Sequence, residues 1–174
     1  HSQNNNDMKK IVPILFAVLL LFGCGNQGYQ KNIDDAIECM EKITGGSAAI
    51  SSTYIDTWRT AIYDHEYNGE YCSDFNEALA KHKVFILSSD AFKELTIKMA
   101  KADSLINELR DYPSSYKEAF DEIVSIYTDV DAMYESAKDP DGSLSSYSDK
   151  VMSSYENTSK RIKAFKIKYC SDKK

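Results

Sequence analysis

Ser115-Tyr116-Lys117-Glu118-Ala119-Phe120-Asp121-Glu122-Ile123-Val124-Ser125-Ile126-Tyr127-Thr128-Asp129-Val130-Asp131-Ala132-Met133-Tyr134-Glu135-Ser136-Ala137 carries the clearest pattern in the chain. Tyr116, Phe120, Ile123, Tyr127, Val130, Tyr134 and Ala137 recur at steps of three and four, the spacing that lines one face of an α-helix. Ser115, with Glu118 three residues later, reads as a capping box that opens this helix. Asp139-Pro140-Asp141-Gly142 then reads as a turn, with proline fixing one dihedral and glycine free to take a positive one. A calcium loop with Gly142 in sixth place would put its first ligand at Ala137 and needs a Glu in twelfth place, and neither condition is met.

The same period extends outward in both directions. Upstream, Phe75, Leu79, Phe85, Phe92, Leu95, Met99, Ala102, Ile106 and Leu109 mark a helix that Ser73 or Asp74 can cap. It ends near Arg110, because Pro113 forces the residue before it out of the helical region. The stripe drifts around Ser88-Ser89-Asp90, where a kink or a restart fits. Earlier still, Ile37, Met40, Ile43, Ala48, Ser51, Ile55, Trp58 and Ile62 form another face, stopped by Asn68-Gly69. Gly45-Gly46 interrupts it and predicts a kink or short break, since two adjacent glycines cost about 2 kcal/mol of helix propensity. The alternative use of this pair is to let a neighbour approach closely. Downstream, Leu144, Tyr147, Val151, Tyr155, Ile162, Phe165 and Tyr169 mark a fourth helix.

Strand period is almost absent, and four amphipathic segments on short connections can bury their stripes only against one another. The expected fold is all-α, an antiparallel up-and-down four-helix bundle with long helices over residues 31–170. The first two helices, at about 35 residues, would span about 50 Å and the last two about 40 Å. Either the first hairpin projects beyond the second, or breaks at Gly45-Gly46 and Ser88-Ser89 fold it back.

Ahead of this domain stand Lys9 and Lys10, an apolar run from Ile11 to Phe22, and Leu21-Phe22-Gly23-Cys24. Twelve apolar residues are too few for a membrane-spanning helix, which takes about 20, and suit the core of an export signal. Leu21, Phe22, Gly23 and Cys24 resemble the lipobox of bacterial prolipoproteins. That resemblance implies cleavage of the signal peptide 8–23 and lipidation of Cys24, followed by a polar linker over 24–30. It also implies a cell-envelope address: the outer membrane in a diderm host, because Gly25 and not Asp follows the cysteine, or the outer face of the plasma membrane in a monoderm one. Residues 1–7 read as an extension ahead of the signal and 171–174 as a tail. The segment from Asp139 to Val151 is similar to the turn and following helix of small, uncharacterised helical lipoproteins of bacterial cell surfaces, some carried on mobile elements.

With 21 Lys and Arg against 27 Asp and Glu, the net charge is −6 and no basic stripe is offered to nucleic acid. The basic run Lys160, Arg161, Lys163, Lys166 and Lys168 sits where a helix C-terminus favours cations. No metal-protease histidine spacing, phosphate-binding glycine loop or nucleophile elbow is present. His65 and His82 stand in different segments and read as partly exposed helix histidines, so no metal site, cofactor or enzymatic activity is expected. The pairs Glu118 with Glu122 and Asp131 with Glu135 lack the Glu-x-x-His partners of di-iron bundles.

Twelve tyrosines are the compositional oddity. Rings with a polar tip suit a core with wet margins, and they also suit a surface for a protein or glycan partner. Trp58, Tyr63, Tyr67 and Tyr71 cluster near the tip of the first hairpin and are the candidate binding surface. Of the cysteines after Cys24, Cys39 and Cys170 belong to the anchored end and are the one pair an up-and-down topology lets bridge, whereas Cys72 lies at the far end. The expected function is that of a non-enzymatic envelope lipoprotein, attached to the membrane by its N-terminal lipid and binding a protein, glycan or envelope component. Two alternatives are an exclusion or immunity lipoprotein of the phage or mobile-element type, and a small-ligand sensor or carrier with a cavity between helices.

Overall fold

The computed structural model describes residues 8–170, with side chains described from residue 25 onward. The side chains of Leu21, Phe22, Gly23 and Cys24, read above as resembling a lipobox, therefore lie outside the described residues, as do residues 1–7 and 171–174. The elements are α1 (Met8–Tyr63), β1 (Glu66–Tyr67), β2 (Glu70–Tyr71), α2 (Phe75–Ser88), α3 (Asp90–Glu108), a 3-10 turn (Ser114–Tyr116), α4 (Lys117–Lys138) and α5 (Leu144–Tyr169). The described residues are all-α apart from a hairpin of two two-residue strands.

α1 is the element on which everything else packs. It meets α2, α3, α4 and α5, and Ile33, Ala36, Ile37, Met40, Ile43 and Tyr54 along it are at most 1% exposed. The short break that Gly45-Gly46 could have caused does not occur, and the helix is continuous through the pair. Packing explains why. A Cβ on Gly46 would stand 2.9 Å from Leu95 Cδ1, so the missing side chain is what lets α3 press against α1, whereas Gly45 has open space around it. Tertiary contact thus outweighs the propensity penalty, the usual outcome for a buried helix.

Side-chain contacts fix the directions of the other helices. Tyr29 Oη donates to the Leu109 carbonyl (2.9 Å) and Gln30 Nε2 to the Tyr169 carbonyl (2.8 Å), while the rings of Tyr29 and Tyr116 lie 4.7 Å apart. One end of the molecule therefore gathers the first packed turn of α1, the end of α3, the approach to α4 and the end of α5. At the other end Trp58 meets Tyr147 with ring centroids 6.1 Å apart, and Thr53 meets His82. α1 and α4 run one way, and α2, α3 and α5 the other.

Five helices stand where four were expected, because the second segment restarts at Ser89. Ser89 is extended (φ −70°, ψ 151°); its N–H and Oγ both donate to the Ile86 carbonyl, and its Oγ accepts from Phe92 N (3.2 Å). One residue closes α2 and caps α3.

Several boundaries differ from expectation. α1 ends at Tyr63, before Asn68-Gly69, and that pair forms the turn of the hairpin: Asn68 (φ 52°) and Gly69 (φ 81°) are both left-handed, the requirement of a two-residue hairpin loop. The capping box at Ser115 and Glu118 does not form. Tyr116 N bonds the Pro113 carbonyl (2.8 Å) in the 3-10 turn, and Tyr116 precedes α4 without a side-chain cap. A capping box appears instead at Ser143 and Ser146, opening α5. The Asp139–Gly142 turn is as read, with Gly142 at φ 91°.

Stripe drift moves a few residues off the core. Phe85 and Tyr155 face solvent at 60% and 46%, while His82, Ile86 and Thr158 take the buried positions beside them. In α4, Ile126 is fully buried and Tyr127 only half so.

The glycine pair gives the sharpest test of the packing. Gly45→Ala should raise stability by about 1 kcal/mol, the ordinary gain in helix propensity. Gly46→Ala should lose most or all of that gain, because displacing Leu95 in a packed interface costs about 1–3 kcal/mol. Chemical denaturation of the two variants measures the difference; equal stabilisation by both would contradict close α1–α3 contact.

Candidate functional site

The end of the molecule bearing the hairpin carries the candidate surface, built on the last turns of α1 and the first turns of α2. α1 ends at Tyr63, His65 takes a left-handed conformation (φ 54°), and Cys72 N returns to the His65 carbonyl at 2.7 Å to close the base of the hairpin. Asp74 then caps α2 through its side chain, accepting from Asn76 N at 2.8 Å.

The four residues expected to form a surface separate into two groups. Trp58 is 6% exposed, packed against Tyr147 in the core. Tyr63 and Tyr71 are 71% and 82% exposed. Tyr67 is half-buried and turns its ring edgewise to His82, with centroids 6.2 Å apart. Tyr63, Tyr71, Phe75 and Phe85 are thus the exposed aromatic side chains of this part of the chain, while Trp58 belongs to the core. Asp64, Glu66, Glu70, Asp74 and Glu77 fall in the same stretch of chain, and no Lys or Arg occurs between Arg59 and Lys81.

His82 is the residue that links this part of the chain to the core, and it is buried, not partly exposed as its position in the sequence suggested. The rings of Tyr54, Tyr67 and Phe85 stand 5.0, 6.2 and 5.9 Å from it. Its Nε2 lies 2.9 Å from Thr53 Oγ1, whose own hydrogen goes to the Ile50 carbonyl at 2.7 Å. Thr53 must therefore accept, and His82 donates as the Nε2–H tautomer. Burial lowers the pKa of His82 below its usual 6.5. The readable signal was its place three residues after Leu79 and four before Ile86, a buried helical step.

The tyrosines have a structural use that explains part of their number. Tyr29 Oη donates to Leu109, the residue closing α3, and Tyr147 Oη to Ser136, in the last turn of α4 (both 2.9 Å). Carbonyls at helix ends have no partner within the helix, so these phenols satisfy groups that would otherwise be orphaned. Burial, with Tyr112 and Tyr116 nearby, pushes the Tyr29 phenol up to about 12. Tyr54 is buried too, and its phenol is likewise raised, chiefly by desolvation.

Cys39 and Cys170 are not bridged. The Cys39 thiol faces α3, donating to the Lys98 carbonyl at 3.2 Å, whereas Cys170 follows α5 on another side of α1. Burial raises the Cys39 pKa against the opposing pull of Lys101, Lys42 and Lys98. These groups, with Asp35 and Glu38, line a cleft of about 160 Å³ between α1 and α3. A second cavity of about 40 Å³, lined by Ser51, Met133, Ser136 and Val151, lies between α1, α4 and α5. Both fall short of the roughly 300–1,000 Å³ of ordinary small-molecule sites. Among the described residues, no group of three or more His, Cys, Asp or Glu side chains could hold a metal ion, and no helix is long and apolar enough to cross a membrane.

Comparisons with models of protein families, with curated proteins and with solved structures find nothing that matches this chain.

His82 makes the hairpin end pH-sensitive. Its folded pKa lies below the unfolded value, so its contribution to stability is complete above pH 6.5 and is lost as pH falls through the folded pKa. Urea unfolding between pH 7.5 and 5 should show the parent chain losing stability relative to His82→Gln, which keeps a donor for Thr53 without titrating. A constant difference between the two across that range would contradict a buried neutral imidazole.

Proposed function

We propose that the chain is a cell-envelope lipoprotein without enzymatic activity, anchored through Cys24, whose folded domain presents its hairpin end to a protein or glycan partner. The observation that carries this reading is the order Lys9-Lys10, apolar run, Leu21-Phe22-Gly23-Cys24. The fold is compatible with it. Gly25, Asn26, Gln27 and Gly28 are exposed, Tyr29 is the first buried residue among those whose side chains are described, and a chain beginning at Cys24 keeps the described core from Tyr29 onward.

We read the domain as an antiparallel up-and-down four-helix bundle, with α2 and α3 forming one arm interrupted at Ser89. The alternation of direction along α1, α2–α3, α4 and α5 supports this, as does the placing of the starts of α1 and α4 at one end. Exposed Tyr63, at the close of α1, and Tyr71, on the hairpin, are amphipathic contact area at low entropic cost, which suits recognition of a protein or a sugar face.

The anchor is tested first. Grown with an alkyne fatty acid, the producing cells should yield a labelled protein that partitions into detergent, and Cys24→Ser should lose both label and partition. Label that survives Cys24→Ser would contradict the reading.

A further inference from the structure

We infer that the end of the domain formed by Tyr29, the 110–116 connection and the close of α5 rests directly on the lipid surface, so that the hairpin Glu66–Tyr71 stands upright away from it. This inference rests on the lipid anchor proposed above and adds a second contact with the same membrane. Its first support is the length of the tether. Five residue steps separate Cys24 from Tyr29, and Gly25–Gly28 continue α1 as exposed helix. As helix they reach about 7.5 Å, and even fully extended no more than about 18 Å. A domain held that closely has its anchored end at the depth of the headgroups.

The chemistry of that end suits such a position. Tyr112, Tyr116 and Tyr169 are half-buried, each with its ring against an aromatic neighbour: Phe120 at 4.9 Å, Tyr29 at 4.7 Å and Phe165 at 4.9 Å. Pro113 lies between the first two in sequence. Tyr112 and Tyr116, apolar in body and polar at the tip, are rings of the kind that favour the boundary between headgroups and acyl chains, whereas the Tyr169 hydroxyl is itself buried and its ring backs them as packing. Arg110, Lys117 and Lys168 stand at the same end with Asp111 and Glu118, so the contact is with the interface as such and does not select anionic lipid. The opposite end is unsuited to membrane contact. Asp64, Glu66, Glu70, Asp74 and Glu77 occur there without a Lys or Arg between Arg59 and Lys81, and an anionic leaflet would repel them. Along α1 from Tyr29 to Tyr63 the rise is about 50 Å, which is the height at which Tyr63 and Tyr71 would be displayed.

The test uses the full chain with Cys24 intact, purified from the producing membranes and reconstituted into vesicles of phosphatidylethanolamine and phosphatidylglycerol. Cys39, Cys72 and Cys170 are replaced by Ala, and bimane is attached at Ser114→Cys or at Glu70→Cys, both exposed positions. Lipid bearing a nitroxide on its headgroup should quench the Ser114 label several-fold and leave the Glu70 label unchanged. Flotation of the same vesicles reports the anchor separately. Protein that floats with Ser114 unquenched, or with both labels quenched alike, overturns the upright placement and leaves the anchor standing. Protein that fails to float overturns both.

Discussion

Close contact between α1 and α3 across Gly46 is the constraint on which the rest of the structure depends. With no side chain at that position, Leu95 reaches the backbone of α1, and the helix continues through two glycines that would weaken it in isolation. Because α1 does not break, one face after another along it remains available, and all four other helices pack on it. Ile33, Ile37, Met40, Ile43, Tyr54 and Trp58 are buried against different neighbours, so a core forms around one continuous rod and not between two hairpins of equal standing.

The ends of the rod differ in a way that follows from this arrangement. At the Tyr29 end, phenol and amide side chains reach across to the closing carbonyls of α3 and α5 and tie three elements together. At the hairpin end, the polar group carried inward is His82, held by one hydroxyl and surrounded by rings. Ion pairs such as Lys83–Asp139 (2.6 Å), Lys166–Glu41 and Arg161–Asp129 join neighbouring helices at the surface. Exposed pairs of this sort are worth roughly 0–1 kcal/mol each, so they bias alignment and do not hold the fold. Aromatic rings gather at both ends, whereas the acidic run Asp64, Glu66, Glu70, Asp74 and Glu77, with no Lys or Arg between Arg59 and Lys81, marks the hairpin end alone.

Much of this was legible from residue spacing. The all-α class and most of the α4 stripe follow from steps of three and four, as does the Asp139–Gly142 turn from its composition. What escaped has identifiable causes. Asn68-Gly69 serves equally as a helix stop and as a hairpin turn, and only the pairing of Glu66 with Tyr71 decides between them. Gly45-Gly46 carries a local penalty whose compensation lies fifty residues away at Leu95. Phe85 and Tyr155 left the core because whole-number steps, six residues from Leu79 to Phe85 and four from Val151 to Tyr155, do not stay on one face of a helix of about 3.6 residues per turn. Trp58 and Tyr71 are neighbours in the sequence pattern yet differ from 6% to 82% in exposure, because the first faces α5 and the second lies past the end of α1. The proposed lipobox rests on the sequence alone, since the side chains of Leu21 to Cys24 lie outside the described residues.

Native-state hydrogen exchange addresses the central role of α1 most directly. The amides of α1 from Ile33 to Trp58, including those flanking Gly45 and Gly46, should exchange only through global unfolding, with the same free energy as the core of α4. Exchange of the Gly45–Ser47 amides by local opening, well below the global free energy, would mean that α1 is two helices with a hinge and would contradict the account.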